Sequence, residues 1–181
     1  MKIGIVFGCF IPMHVGHESL IEKAASMNDR VIIAVCGSDY DRGKDFIPFR
    51  DRIKLITIIF SENNITVVSI DDAKLKLDGT FTLENWHIWS DELFKNARIC
   101  PYDCGNEITW YTGELSYATK LKELYDSHNF FIASRRINDI SGTEIRKNWK
   151  VHGDKINRDF YDYLRGRFIL DLLGDITLKG V

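Results

Sequence analysis

The sequence predicts an α/β domain in which about five parallel strands form a doubly wound sheet with helices on both faces. Short apolar runs rich in Val and Ile alternate with longer segments whose apolar residues recur at helical spacing. Strands that alternate with helices form βαβ units, and such units build parallel sheets with right-handed crossovers. The 181 residues contain no internal repeat, low-complexity tract or linker. We therefore expect residues 1–181 to form a single domain.

The predicted strands are recognised by their composition and by the residues that end them. The first is an apolar run that ends at Gly8, as expected of a strand buried on both faces. A run of Val and Ile that ends before Asp71 has the same character. The five predicted strands comprise residues 3–7, 30–37, 65–70, 107–111 and 130–133.

The predicted helices are recognised by apolar stripes and by their first residues. An apolar stripe follows His14, and Pro48 is placed to begin a later helix. The polar segments 37–48 and 71–85 are predicted to be loops. The first predicted helix begins after His14. Three others cover residues 49–60, 86–97 and 116–125, and a helical C-terminal part follows at about 142–170.

Composition and charge exclude several partners. Lys and Arg number 24 against 26 Asp and Glu, so the net charge of −2 argues against nonspecific binding to nucleic acid. No apolar run approaches the roughly 20 residues that cross a bilayer, and the N-terminus has no cleavage site of a signal peptide. Four scattered cysteines do not form a disulfide framework. We therefore expect a cytoplasmic protein with reduced thiols. The sequence leaves its oligomeric state open, and a homo-oligomer is one of the alternatives.

A first motif, Gly-Cys-Phe-Ile-Pro-Met-His-Val-Gly-His, occupies residues 8–17, where the first strand gives way to the first helix. His14 and His17 share one face if the helix begins near His14. Free N–H groups and the helix dipole favour a bound phosphate at this end. Gly16 leaves room for a base or ribose against the backbone, and Gly8 is expected to allow a tight turn. The alternative is a turn with two incidental histidines, but the flanking strand and helix favour a binding site.

A second motif, Ile-Ser-Gly-Thr-Glu-Ile-Arg, occupies residues 140–146 and again leads into a helix. Ser141 is a good N-cap, and Glu144 completes a capping box. The simplest interpretation is that the motif only begins a helix. In a binding site, its hydroxyl and N–H groups would hold phosphate oxygens, and Arg146 would add a bidentate contact.

Together the two motifs resemble the paired signature GxFxPxHxGH and IS[ST]TxIR of the HxGH nucleotidyltransferase superfamily. Within it, the chain most resembles the nicotinamide-mononucleotide (NMN) adenylyltransferase domain of NadR-type proteins, over nearly the whole chain to about Leu164. The resemblance rests on residues 5–8, 51–52, 86–90, 111–114 and 140–146.

The resemblance implies a Rossmann-like fold and the reaction of NMN with ATP to give NAD and pyrophosphate. It implies that His14, His17 and Arg146 are catalytic. ATP would be bound by Gly8, Cys9, Phe10, His14, Gly16, His17, Ser141, Thr143 and Arg146. NMN would be bound by Phe10, Arg52, Trp86 and Trp89, although for Trp89 a core position is the favoured interpretation. Mg²⁺ would be held mainly by the phosphates of ATP rather than by the protein.

The chain departs from NadR-type proteins in two respects. Cys9 stands where they usually carry Lys, so one cationic phosphate contact is missing, and Lys44 or Arg42 could replace it. The chain also has no GxxxxGK[ST] motif, so a kinase domain is not expected, and neither is a helix-turn-helix domain.

Other activities remain open at this stage. The same enzyme class includes transfer to nicotinate mononucleotide, FMN, phosphopantetheine or the acceptor of a cytidylyltransferase, and the tryptophan pair favours a flat aromatic acceptor. A nucleotide sensor that lost catalysis with Cys9 is another alternative. A fragment of a class I aminoacyl-tRNA synthetase is disfavoured, because no KMSKS-like loop is present.

Weaker features receive simpler interpretations. Cys100 and Cys104 are expected to be loop thiols rather than half of a zinc site, because no second pair lies nearby. His128 is expected at the surface, as are His87 and His152. The pair at 135–136, two arginines, either adds positive potential to the phosphate site or is simply solvated.

Overall fold

Five parallel strands form one sheet in the order β3-β2-β1-β4-β5. The computed structural model describes residues 1–37, 46–72, 82–102, 105–133 and 142–178, with side chains described up to residue 170. The strands are β1 Lys2–Gly8, β2 Arg30–Cys36, β3 Ile65–Ile70, β4 Glu107–Thr112 and β5 Asn129–Ile132. The predicted fold class is confirmed, and the predicted strands differ from the observed ones by one or two residues at most.

Helices cover both faces of the sheet. They are α1 Val15–Met27, α2 Phe49–Ile59, α3 Leu83–Ala97, α4 Leu115–Leu124, α5 Gly142–Lys147 and α6 Arg158–Leu178. One apolar core contains residues of α3 and α4, and the other contains residues of α1, α2, α5 and α6. This arrangement is the doubly wound architecture.

The strand side chains alternate between the two cores. Ile3 and Ile5 of β1 lie in the core under α3, and Val6 lies in the core under α1. All three are fully buried, and burying one such side chain contributes about 1.5–3 kcal/mol. Because β1 and β2 are buried on both faces, they form continuous apolar runs rather than alternating ones.

The central strand β1 lies at the topological switch point of the sheet. β1 pairs with β2 on one side, in register Phe7↔Ala34, and with β4 on the other, in register Val6↔Tyr111. The connections leaving β1 and β4 therefore diverge. In open α/β sheets, this divergence forms a crevice at the carboxyl ends of the strands where ligands bind.

Two helices are longer than the sequence pattern predicts. Helix α3 begins at Leu83 rather than at residue 86, because Thr82 acts as its N-cap and accepts a hydrogen bond from the Asn85 N–H at 3.2 Å. Helix α6 runs unbroken to Leu178, beyond the predicted end near residue 170. No helix in the described ranges is both long and apolar enough to cross a membrane.

His128 is not the isolated surface residue that the sequence suggests. It is half-buried, and its ring stacks on Tyr125 with centroids 4.8 Å apart and an interplanar angle of 7°. The buried Trp110 donates its indole N–H to His128 Nδ1 at 2.9 Å. Desolvation lowers the pKa of His128, although its contact with the Pro101 carbonyl opposes that shift. The imidazole is therefore part of the packing under α3.

The cysteines differ in their chemical state. Cys9 and Cys36 are free thiols, but Cys100 is disulfide-bonded. The expectation of a reduced thiol at Cys100 was therefore wrong, because residue spacing does not show which loop sulfurs face each other. A disulfide sulfur is not a thiolate ligand, so Cys100 is no part of a zinc site in this state. Cys104 lies outside the described residues.

Candidate active site

The loop from β1 to α1 carries the first motif and turns sharply at Phe10. Phe10 has φ of 48°, in the left-handed region that disfavours residues with a side chain. Gly8 ends β1 without a positive φ, so the tight turn falls on Phe10 and not on Gly8 as expected. The Phe10 ring is buried and meets His17 edge to face at 4.9 Å. A strained backbone held by such packing is common at functional sites.

The two histidines of the motif form the N-terminal cap of α1. His14 is the N-cap, and its Nδ1 accepts a hydrogen bond from the Gly16 N–H at 3.2 Å. His17 Nδ1 accepts in turn from the His14 N–H at 3.4 Å, which completes a reciprocal capping box. The two rings stack with centroids 3.8 Å apart. The structure thus brings together the two imidazoles that the sequence placed on one face.

The environment of His17 favours its neutral form. Desolvation lowers the pKa of His17 well below 6.5, and the nearby charge of His14 lowers it further. Because Nδ1 of each ring accepts a backbone hydrogen bond, the remaining proton lies on Nε2. Both histidines can therefore donate from Nε2 to an anion. Part of the His17 surface remains accessible to solvent.

The second motif contacts the loop of the first. Arg146 on α5 donates to the Ile11 carbonyl at 2.9 Å and to the Thr143 hydroxyl at 3.0 Å. A Cβ on Gly142 would lie 3.2 Å from Arg146 Nη1 and 3.5 Å from the Ile11 oxygen, so a glycine permits this close approach. Arg146 is partly exposed and Thr143 is exposed, which leaves both accessible to a ligand. Ser141 lies outside the described residues.

Arg52 joins the backbone segments around the switch point. Its side chain is fully buried, and its guanidinium donates to four carbonyl oxygens at 2.7–3.2 Å. Those oxygens belong to Cys9, Cys36, Gly37 and Ile47. Arg52 therefore ties the first motif to the end of β2 and to the entry of α2. This placement gives Arg52 a positioning role, whereas its predicted contact with NMN stays a prediction.

The two tryptophans belong to α3 and lie in the core on the opposite face of the sheet. Trp89 is 2% exposed and Trp86 is 6% exposed, so both are core residues in this conformation. Trp86 contacts Trp89 at 5.3 Å and Tyr117 of α4 at 5.2 Å between ring centroids. Tyr117 is 43% exposed and also contacts Phe7 at 6.1 Å. Among the described residues, Tyr117 is therefore a partly exposed side chain that packs on Trp86.

A carboxylate and two thiols meet at the carboxyl ends of β2 and β3. Gly37 has φ of +88°, and a Cβ there would lie 3.2 Å from Cys9 Sγ and 3.9 Å from Asp72 Oδ1. Burial raises the pKa of the Cys36 thiol well above its ordinary value, with further increases from Cys9 and Asp72. Trp89 donates a hydrogen bond to Cys36 and opposes that rise. The buried Asp72 and Trp89 therefore both lie close to the Cys36 thiol.

The site contains residues that the sequence analysis missed. Tyr117 and Asp72 carry no motif, and neither does Asn157, which bonds to the first motif from the start of α6. A capping signature at Asn157 before the last helix was the one available signal. Several predicted residues lie outside the described part of the chain: Arg42, Lys44, Ser141 and the pair 135–136.

Comparison with known proteins identifies the family. A sequence model described as cytidylyltransferase-like matches residues 5–148. A probable nicotinate-nucleotide adenylyltransferase of Fusobacterium nucleatum is 34% identical over 169 residues, covering 87% of this chain and 76% of that protein. The trifunctional NAD biosynthesis/regulator protein NadR of Salmonella typhimurium is 26% identical over 81% of this chain, which spans 37% of its length.

A solved structure extends the similarity to three dimensions. The crystal structure of a NadR protein in complex with NAD and AMP-PNP superposes with a TM-score of 0.70 and 34% identity. The match covers 88% of this chain and 45% of that one. The chain therefore belongs to the cytidylyltransferase-like family and is a nucleotidyltransferase related to the NadR-type adenylyltransferases.

Proposed function

We propose that the chain is an adenylyltransferase of NAD biosynthesis that joins NMN to ATP and releases pyrophosphate. The observation that carries this proposal is the contact of Arg146 with the Ile11 carbonyl. That contact brings the second motif to the loop that holds the stacked pair His14 and His17. The NadR protein solved with NAD and AMP-PNP is 34% identical, which supports the same pair of nucleotides here.

ATP would lie across the N-terminus of α1, with its phosphates against the two imidazoles. The capping box uses Nδ1 of each ring, so we propose that Nε2 of His14 and of His17 would donate to phosphate oxygens. Arg146 would hold the β- and γ-phosphates with the hydroxyls of Thr143 and Ser141. The remaining predicted ATP contacts line the same loop, at Gly8, Cys9, Phe10 and Gly16.

Transfer of the adenylyl group would proceed by in-line attack. A phosphate oxygen of NMN forms a bond to the α-phosphorus of ATP, and the bond from that phosphorus to the bridging oxygen breaks to release pyrophosphate. The attacking phosphate is already an anion, so no general base is required. The chain contributes orientation and hydrogen-bond donors that stabilise the charge developing on the transferred and leaving phosphates.

Mg²⁺ would accompany ATP and neutralise part of the triphosphate charge. Among the described residues, no group of three His, Cys, Asp or Glu side chains could hold a metal ion. We propose that the ion is held by phosphate oxygens and water, as Mg²⁺ commonly is. The side chains of His14, His17, Thr143 and Arg146 can donate hydrogen bonds and would contact the phosphates.

The nicotinamide ring would bind beside Trp86. Because Tyr117 packs on Trp86, the acceptor ring would displace the partly exposed Tyr117 ring or stack upon it. The nearby carboxylate of Asp72 favours the positively charged pyridinium with a neutral amide over a ring that carries a carboxylate. Phe10 and Trp89 would support this pocket, and Arg52 would hold its backbone in place.

The decisive experiment measures pyrophosphate release from ATP and Mg²⁺ with NMN, nicotinate mononucleotide, FMN and phosphopantetheine in separate reactions. We expect release with NMN together with formation of NAD. Release with another acceptor alone would replace the substrate within the same enzyme class. Binding of ATP without turnover of any acceptor would overturn the catalytic proposal and support a sensor.

Nicotinate mononucleotide is the second candidate acceptor. The Fusobacterium relative, 34% identical to this chain, is described as a probable nicotinate-nucleotide adenylyltransferase. The two acceptors differ only in an amide against a carboxylate. The ratio of their kcat/KM values therefore decides between the two candidates.

A further inference from the structure

Asn157, at the start of α6, contacts the loop and helix that carry His14 and His17. We propose that Asn157 is a positioning residue for this phosphate site and acts through the Met13 carbonyl and the Glu18 side chain. The inference rests on the proposed function where it is tested by measuring catalysis. Its structural basis is independent of which acceptor the enzyme uses.

Asn157 bonds to the first motif and its helix through both its backbone and its side chain. Its backbone N–H donates to the Met13 carbonyl at 3.1 Å, and the preceding residue, Ile156, pairs with His14 in an antiparallel bridge. The side-chain amide Nδ2 donates to Glu18 Oε1 at 2.7 Å. Asn157 is 8% exposed, so these bonds are shielded from water.

The other end of the same amide begins helix α6. Asn157 Oδ1 accepts from the N–H groups of Asp159 at 3.0 Å and Phe160 at 3.4 Å, as an N-cap does. An Asn side chain both donates and accepts, so one residue can cap α6 and bond to α1. Neither Ser nor Asp can do both at this distance.

Helix α6 is itself firmly held, so it is a fixed point of reference for the site. Phe160 and Leu164 lie in the core together with Met13. Tyr163 donates to the Asp51 carboxylate of α2 at 2.6 Å. Arg167 donates to the Phe46 carbonyl at 3.2 Å. Through Asn157, this packing fixes the backbone at residues 13–14 and the first turn of α1.

The consequence for catalysis is geometric. Glu18 follows His17 directly, and Met13 precedes His14, so Asn157 holds the motif on both sides of the histidine pair. The positions of the two Nε2 donors depend on this backbone. A displacement of about 1 Å at reacting groups can lower a rate by about a hundredfold. Asn157 touches neither imidazole in the described contacts and acts through the main chain and Glu18.

The test reverses the direction of the hydrogen bond between Asn157 and Glu18. N157D keeps the size and the cap but places a carboxylate against Glu18, whereas E18Q keeps an acceptor for Asn157. In the double variant N157D/E18Q, the Gln amide donates to the new Asp carboxylate. The measurements are kcat, KM for ATP, affinity for Mg²⁺–AMP-PNP and the midpoint of chemical unfolding.

We expect N157D to lower kcat and the affinity for Mg²⁺–AMP-PNP by about tenfold to a hundredfold. E18Q should resemble the wild type, and the double variant should recover both quantities.

The matched control is N28D at the other end of α1. Asn28 donates to the Ala24 carbonyl and to the Tyr111 hydroxyl, both at 2.8 Å, and N28D should lower stability without changing analogue affinity.

Two outcomes would overturn the proposal: an N157D variant with unchanged kcat and analogue affinity, or a double variant that recovers neither. The proposal would also fail if N28D, at equal stability, lost as much kcat and analogue affinity as N157D. Asn157 would then contribute to folding alone. Absence of NAD formation in a wild type that binds Mg²⁺–AMP-PNP would count against the proposed acceptor only. The analogue affinities would still test the role of Asn157.

Discussion

The imidazole rings of His14 and His17 stack with centroids 3.8 Å apart and an interplanar angle of 30°. Two positive charges at this separation repel each other, and His17 is also desolvated, so its pKa lies well below 6.5. At neutral pH, His17 is therefore an uncharged donor whose Nδ1 accepts the His14 N–H. The pair orients hydrogen bonds toward a phosphate rather than supplying a proton to it.

Replacing His17 with Ala removes one of these donors and half of the capping box. We expect kcat to fall by about a hundredfold or more, since one donor to developing charge contributes at least that much. Steady-state kinetics with ATP and the preferred acceptor measures the loss. His152, a half-buried residue outside the described contacts of the motif, provides the control H152A. An H17A enzyme of full activity would remove His17 from the mechanism.

Replacing Arg146 with Lys keeps the charge but loses the fork of donors that reaches both Ile11 and Thr143. We expect kcat/KM for ATP to decrease by about tenfold or more, by the loss of charge-stabilising donors. The matched substitution is R158K, because Arg158 is 93% exposed and lies 3.8 Å from Asp162. Equal kinetics for the two variants would contradict a role of Arg146 in holding ATP.

Replacing Trp86 with Leu tests the acceptor site on the other face of the sheet. Stacking of an aromatic side chain on a base contributes about 1–3 kcal/mol, so we expect KM for NMN to rise about fivefold or more while KM for ATP is unchanged. W149L is the control, because Trp149 packs on Tyr161 and Phe168 instead. A parallel rise in both KM values would indicate a general effect on folding.

Replacing Asp72 with Asn removes a buried carboxyl group that, like Trp89, lies close to Cys36. We expect the ratio of kcat/KM for NMN to that for nicotinate mononucleotide to fall by about tenfold, because repulsion of the nicotinate carboxylate disappears. The exposed neighbour Asp71 gives the control D71N. An unchanged ratio would place the discrimination between amide and acid elsewhere.

Stability should fall in acid because of His128. Its pKa is lowered in the folded state, so below about pH 6.5 the unfolded chain takes up the proton first and unfolding becomes more favourable. A protonated Nδ1 also cannot accept from Trp110. Urea unfolding at about pH 7.5 and about pH 5.5 measures the loss, which should be smaller in H128N. Because the pKa of His17 shifts in the same direction, the difference between the wild type and H128N isolates the share of His128.

The order of strands and helices could be predicted because each element carries its own local pattern. The central strands β1 and β2 are buried on both faces and therefore form apolar runs, and Pro48 marks the start of α2 in the sequence itself. The start of α3 was misplaced because a capping Thr was included in a polar loop. The turn at Phe10 could not be foreseen, because a left-handed φ is expected of Gly rather than Phe.

The paired motifs of the site were predictable, but the contacts that join them were not. Arg146 and Ile11 are 135 residues apart, and Asn157 and Glu18 are 139 residues apart. Neither spacing has a periodicity that could reveal a contact. The buried position of Arg52 was likewise not predictable, because a single sequence does not distinguish an exposed cation from one that binds four carbonyls.

The central position of β1 determines when, during folding, the candidate active site can form. Its pairing with β4 joins Lys2 to Glu107, and the histidine loop meets Arg146 and Asn157 only after most of the chain exists. Contacts between such distant segments are slow to form, because long loops must close first. During synthesis, β1, β2 and β3 can pair early, while the other edge of β1 stays unpaired until β4 is made. We therefore expect the site to be complete only after the segments that carry Arg146 and Asn157 have been synthesised.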